Sequence, residues 1–215
     1  MTQEKVITKI ETQKKNPKRK SIYLDDQFAF GLNQETVYRY GLHEGDQLTQ
    51  KKIDEILKSE QKRKAKEIAL NYLSYRARSE KEIKDKLKKK EFPETITDEV
   101  LSDLKRLNLV DDFEFACLWI KDRLEHKPKG ERVLKLELFK KGIKKEIMEK
   151  ALREFYPPKT EEVEIAKGLV KKREKRYKNL DKRVAQKRIF DFLLRRGFSY
   201  DVAREALSDW GEMEE

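Results

Sequence analysis

The sequence predicts a mainly α fold: three tandem three-helix repeats in an elongated array, preceded by a small β-rich amino-terminal module. Three observations carry this. Leu87-Lys-Lys-Lys-Glu-Phe92, Leu138-Phe-Lys-Lys-Gly-Ile143 and Leu193-Leu-Arg-Arg-Gly-Phe198 superpose, and their anchors Phe92, Ile143 and Phe198 recur after 51 and 55 residues, a spacing that suits a multi-helix repeat. Apolar residues keep the same offsets around each anchor: Ile83, Leu134 and Ile189 before it, then Ile96, Ile147 and Val202, Leu101, Leu152 and Leu207, and Leu104, Phe155 and Trp210 after it. Finally, 43% of the 215 residues are charged and 37% hydrophobic. That is thin for one deep core but fits stacked helices that each bury a single stripe. The apolar residues are periodic rather than scattered, which argues against a disordered chain.

The expected boundaries are residues 1–48 for the β-rich module, 49–110 for a linker helix and repeat 1, 111–158 for repeat 2 and 159–215 for repeat 3. Within the module, Val6–Ile10 and Ser21–Leu24 are β-branched or aromatic, and Asp25-Asp26 before Gln27-Phe-Ala-Phe-Gly31 predicts a hairpin. Asn16–Lys20 reads as a turn, Thr36–Tyr40 as a short helix or turn, and Gly41–Asp46 as a loop before a last short strand. So small a module has little core of its own, and packing on the first helices is expected. From Leu48 to about Leu73, Ile53, Ile56, Leu57, Ile68, Ala69, Tyr72 and Leu73 follow helical spacing, as one long helix or two.

Ser79 with Glu82 forms a capping box that opens the second helix of repeat 1, which should end near Lys90. Pro93 suits the first turn of the third helix, Asn108 its left-handed close, and Asp111 or Asp112 the next cap. First helices share a pattern of Ala69, Ala116 or Ala166, then Tyr72-Leu73, Trp119-Ile120 or Leu169-Val170, then Arg76, Arg123 or Arg173. Gly142 and Gly197 lie where the second helix reverses, a site for left-handed backbone. Repeat 1 has Glu91 there, so its turn should be less relaxed.

The formal charge is +11, and residues 125–196 hold 24 Lys and Arg against 12 Asp and Glu, so one stretch carries the whole excess. Such a surface favours polyanions: nucleic acid, acidic protein or anionic lipid. No apolar run approaches the length of a membrane helix, and residues 1–20 lack a signal-peptide apolar core. The lone Cys117 reads as a small core residue, and a cytoplasmic location is the default. Catalytic chemistry finds no foothold. There is no phosphate-binding Gly-Lys loop, nucleophile elbow or Cys-x-x-Cys pair, and His43 and His126 stand in separate regions, so neither metal nor cofactor is expected and an enzyme is disfavoured.

The binding candidates are basic. Arg76 and Arg78 flank the first interhelical turn, with Tyr75 beside them as either a stacking or a core residue. Arg123, Lys127, Lys129 and Arg132 surround the second turn. Lys171, Lys172, Arg173, Arg176, Lys178, Lys182 and Arg183 surround the third, with Tyr177 placed to stack. Lys187, Arg188, Arg195 and Arg196 extend that set along the next helix. A charge run on a helix is usually a solvated face, yet recurrence at equivalent places raises these above that reading, with weak contacts summing to salt-dependent binding.

Arg76-Ala-Arg-Ser-Glu-Lys-Glu-Ile83, Leu107-Asn-Leu-Val-Asp-Asp-Phe-Glu-Phe-Ala116, Lys127-Pro-Lys-Gly-Glu-Arg132 and Glu137-Leu-Phe-Lys-Lys-Gly-Ile143 resemble the RecX family of bacterial recombination regulators. The resemblance spans Lys64 to Trp210, denser in the first two repeats than in the third. It implies a curved array that lies in the groove of the RecA nucleoprotein filament and inhibits strand exchange, ATP hydrolysis and the repressor cleavage of the SOS response. Glu91, where the family commonly has glycine, and the β-rich module are the departures. The implied partners are the RecA filament and single-stranded DNA, with double-stranded DNA as a further candidate, no membrane, and a monomeric chain. The competing reading is a stand-alone basic helical DNA-binding protein.

Overall fold

The computed structural model describes residues 4–177, 179–208 and 210. It divides into two compact units, Met1–Arg76 with Ile83–Leu109, and Ala77–Glu82 with Val110–Glu215.

The first unit opens with strands β1 (Lys5–Gln13), β2 (Asn16–Leu24) and β3 (Gln27–Asn33), then helix α1 (Gln34–Tyr40), the short β4 (Gln47–Leu48) and the single long helix α2 (Gln50–Leu73). The strands form one antiparallel sheet ordered β3-β2-β1-β4. Asp25 and Asp26 take φ of 49° and 64°, the two left-handed residues that a tight hairpin turn needs. The expected turn at Asn16–Lys20 is corrected: β2 begins at Asn16, and the turn is Lys14–Lys15. Pro17 is tolerated because it falls at the start of the strand beside a register shift at Thr12/Gln13.

Ile7, Ile22, Leu24 and Leu32 bury one face of the sheet against Ile53 and Ile56 of α2. A buried carboxylate locks that packing. Glu60, 7% exposed on α2, accepts from Arg19 (3.2 Å) on β2, from the Asn33 N–H (3.1 Å) after β3, from Thr36 Oγ1 (2.7 Å) on α1 and from Arg63 (3.1 Å). Burial pushes its carboxyl up, but the hydrogen bonds from Arg63, Thr36 and Asn33 outweigh this and hold it below the ordinary value.

Helix α3 (Glu80–Lys88) contributes its later turns to the first unit, and α4 (Glu94–Arg106) packs along α2, with Lys62 reaching Asp103 at 3.0 Å. Pro93 stands one residue before α4 as its N-cap, and Asn108 closes the segment at φ 53°.

The second unit contains α5 (Asp112–His126), α6 (Glu131–Lys140), α7 (Lys145–Phe155), α8 (Lys159–Tyr177), α9 (Lys182–Arg195) and α10 (Tyr200–Glu205). Asp111 caps α5 through the N–H groups of Phe113 and Glu114. The periodic residues form two cores, one around Ile120, Leu134, Leu138 and Leu152, the other around Ala166, Ile189, Leu193 and Val202.

Two joints in this unit use equivalent positions. The capping-box hydroxyl of Ser79 donates to the Lys141 carbonyl at 2.7 Å, and Lys81 Nζ donates to the Lys140 carbonyl at 3.1 Å. Fifty-one residues on, the Gly130 N–H donates to the Arg196 carbonyl at 3.0 Å, and Arg132 donates to the Leu194 carbonyl at 2.9 Å. Each joint thus seats the left-handed turn that ends one second helix on the start of the preceding second helix, satisfying carbonyls that the helix leaves unpaired. Gly142 and Gly197 are left-handed, at φ 82° and 94°, as is Glu91 at 61°. The glycines have a second reason: a Cβ on Gly197 would lie 2.6 Å from Val133, and one on Gly142 2.6 Å from Lys81, whereas Glu91 is exposed.

Gly130 isolates the value of this close approach. Its φ of −69° and ψ of 160° suit any residue, yet a Cβ there would fall 2.1 Å from the Gly197 carbonyl carbon. Gly130→Ala is expected to destabilise the second unit by more than about 2 kcal/mol in urea titration, while Gly168→Ala, with open space within α8, should stabilise by up to about 1 kcal/mol. Glu60 gives a pH prediction. Because its folded pKa is depressed, its contribution is complete above the unfolded value and is lost as pH falls through the folded one. Below about pH 4 the first unit should weaken, and Glu60→Gln should flatten that acid limb in unfolding curves.

Candidate nucleic-acid and partner interface

The sequence-predicted cations fall into two classes. Arg123 on α5 is 20% exposed on its side chain, donates to Glu137 on α6 at 3.0 Å and lies 4.0 Å from the centre of the Trp119 ring. Lys129 and Trp119 Nε1 donate to the same carboxylate. Burial pushes the Glu137 carboxyl up, and the hydrogen bonds from Lys129, Trp119 and Arg123 more than reverse this. Arg132 and Arg196 serve the second joint, Arg196 by donating to the Pro128 carbonyl at 3.2 Å. Arg173 covers the Phe192 ring at 4.1 Å. These five cations help hold helices together.

The second class is exposed. Lys127 ends α5, Arg176 lies on α8, and Arg183, Lys187, Arg188 and Arg195 lie on α9. Their side chains have no hydrogen bond or ion pair among the described residues. Five of the residues of α9 are basic, and Asp191 is its sole acid. Lys171 and Lys172 are exposed on α8, and Tyr177 packs on the third core. Lys178 lies outside the described residues. Tyr75 is 83% exposed, beside the exposed Arg76 and the half-buried Arg78, so it is a surface aromatic and not a core one.

Sequence reasoning did not single out two further features. Leu136 and Phe139, one turn apart on α6, are 54% and 71% exposed. On the third repeat, Tyr200 and Phe190 meet edge to face at 5.1 Å. The signal for both was an apolar residue at a helix position outside the buried offsets. Cys117 is buried, and burial pushes its thiol up, which makes it a poor nucleophile. Among the described residues no helix is long and apolar enough to cross a membrane, and no group of His, Cys, Asp and Glu could hold a metal ion.

Comparison with known proteins covers both units. Residues 5–49 match the Regulatory protein RecX N-terminal domain, and residues 65–104, 111–152 and 160–207 match the first, second and third RecX three-helix domains. The Regulatory protein RecX of Listeria monocytogenes serovar 1/2a is 35% identical over 203 residues, covering 94% of this chain and 75% of that one. The Clostridioides difficile (strain 630) protein of the same name is 37% identical over 203 residues, covering 94% of both. A crystal structure of regulatory protein RecX is similar at a TM-score of 0.72 and 32% identity, covering 95% of this chain and 99% of that one. The crystal structure of RecX from Lactobacillus salivarius follows at 0.64 and 33%, over 72% and 99%.

The two classes of cation should separate in stability measurements. Arg123→Ala should cost about 1–3 kcal/mol, since it strips a charged hydrogen bond and a ring contact from a half-buried site. Arg188→Ala should change unfolding by less than about 0.5 kcal/mol.

Proposed function

This chain belongs to the RecX family of regulatory proteins, and from that premise we propose that it binds the RecA recombinase and its nucleoprotein filament on single-stranded DNA. Binding inhibits strand exchange, ATP hydrolysis and RecA-assisted repressor cleavage, by occupancy and without chemistry of its own. The observation that carries this reading is the run of four family domains, in order, along the chain. The surface supports it. The cations Arg183, Lys187, Arg188 and Arg195 are uncommitted on one helix, available to phosphates. Leu136 and Phe139 are exposed on another, an apolar pair that a phosphate backbone does not require and a protein partner does.

A ligand that spans successive protomers of a helical filament restrains the rotations between them, and this is how a non-catalytic chain slows turnover. Arg76, Arg78, Lys127, Arg176, Arg183, Lys187, Arg188 and Arg195 are the contacts assigned to filament and strand. Arg123, Lys129, Arg132, Arg173 and Arg196 act mainly by holding those contacts in place.

The stand-alone DNA-binding reading draws on the same free cations of α9. Salt separates the two, because phosphate contacts weaken steeply with ionic strength. Added to RecA on single-stranded DNA, the full chain should lower ATP turnover and block strand exchange at or below one chain per protomer. It should still sediment with the filament at salt that abolishes its binding to naked DNA. Unchanged turnover would remove the RecA reading, and co-sedimentation lost in step with naked-DNA binding would leave the DNA-binding one.

A further inference from the structure

Each repeat has a groove between its second and third helices, and equivalent positions line it. In repeat 2 these are Glu131, Lys135, Lys145 and Glu149, with Lys135 paired to Glu131 at 2.6 Å and Lys145 to Glu149 at 3.8 Å. In repeat 1 two of the positions are Lys84 and Asp98, paired at 2.8 Å. In repeat 3 the same four positions are Gln186, Phe190, Tyr200 and Arg204. The carboxylates are gone and two aromatic rings have replaced lysines. The result is a cleft of about 280 Å³ between α9 and α10, bordered also by Arg183 and Lys187.

The parts of this cleft are complementary. Phe190 is anchored on the third core, and its contact with Tyr200, at 5.1 Å and 77° between ring planes, braces that ring while 61% of Tyr200 stays exposed. Arg183 and Lys187 stand one turn apart on α9, with no side-chain partner among the described residues. Lys187 is the equivalent of Lys81 and Arg132, the two side chains that donate to a carbonyl at the joints. Among the described residues no turn is seated on α9, so here the joint position is an open cation. Arg204 is tempered by Asp201 at 3.9 Å.

We propose that the α9–α10 cleft of the third repeat seats one nucleotide of a single strand, its base on Tyr200 and its phosphate on Arg183 and Lys187. An exposed, braced ring beside cations is the arrangement by which proteins hold unpaired bases without reading their sequence. Duplex DNA cannot offer a base face to a side chain without unstacking, so the cleft favours single strands. The assignment rests on the strand-binding half of the proposed function and gives it a place.

The test measures anisotropy of the full chain with labelled oligo-dT and with an abasic phosphodiester strand of equal length. The wild type should prefer oligo-dT. Tyr200→Ala should lower oligo-dT affinity roughly tenfold, to the abasic level, and leave abasic binding unchanged; Tyr200→Phe should restore the preference. Arg183→Gln with Lys187→Gln should weaken both strands and reduce the salt slope by about 1.4. Lys145→Ala, at the equivalent place in repeat 2, should leave the preference intact. Equal affinity of wild type and Tyr200→Ala for oligo-dT, with Tyr200→Ala still folded by circular dichroism, would overturn the assignment. So would a Tyr200→Ala that lost only filament binding at high salt, which would make the cleft a protein site. If the base preference held while RecA turnover was unaffected, the cleft would stand and the RecA reading would fall.

Discussion

The close approach of one helix-ending turn to the start of the preceding second helix is the constraint on which the second unit depends. At both joints a backbone or side-chain donor at the helix start, Ser79 or Gly130, satisfies a carbonyl of the incoming turn, Lys141 or Arg196. The approach is so tight that Gly130 and Gly197 have no room for a Cβ. Hydrogen bonds of this kind stabilise modestly one at a time. Their larger effect is exclusion: any register but the observed one would bury the same carbonyls unpaired.

That constraint also decides what the basic residues do. A chain with +11 formal charge could present its cations anywhere, but a joint recruits those beside it. Lys81, Arg132 and Arg196 point their donors at main-chain oxygens, and the Glu137 carboxylate gathers Arg123 and Lys129. What is left exposed concentrates on α9, the second helix on which, among the described residues, no turn is seated. Scaffold and contact surface are therefore separated by which face of an otherwise equivalent helix is occupied, more than by residue type.

Much of this was legible in the sequence. The apolar offsets around Phe92, Ile143 and Phe198 marked the buried positions, because burial on a helix imposes its period on the residues. The capping box at Ser79, the cap at Asp111 and the aspartate hairpin turn were legible because each is a local interaction. Partners distant in the chain were not. Glu60 looks like one more charged residue on a charged helix, and only its neighbours, 27 and 41 residues away, make it a buried hub. Arg123 looked like a grip until Glu137 was placed beside it. The strand start at Asn16 went unread because Pro17 suggests a turn, while the pairing of Gln13 with Asn16 that overrules it is set by the whole sheet. Phe190 and Tyr200 could have been found by comparing the repeats at non-core positions, where aromatic residues replace lysines.

The central claim is a division of labour: free cations of α9 toward the strand and the exposed apolar pair of α6 toward the protein. Photocrosslinking tests it most directly, with a photoreactive residue at position 188 in one sample and at position 139 in another, each chain assembled on RecA with single-stranded DNA. The account predicts that position 188 labels the DNA and position 139 labels the recombinase. Label on the recombinase from position 188, or on neither component from position 139, would contradict it.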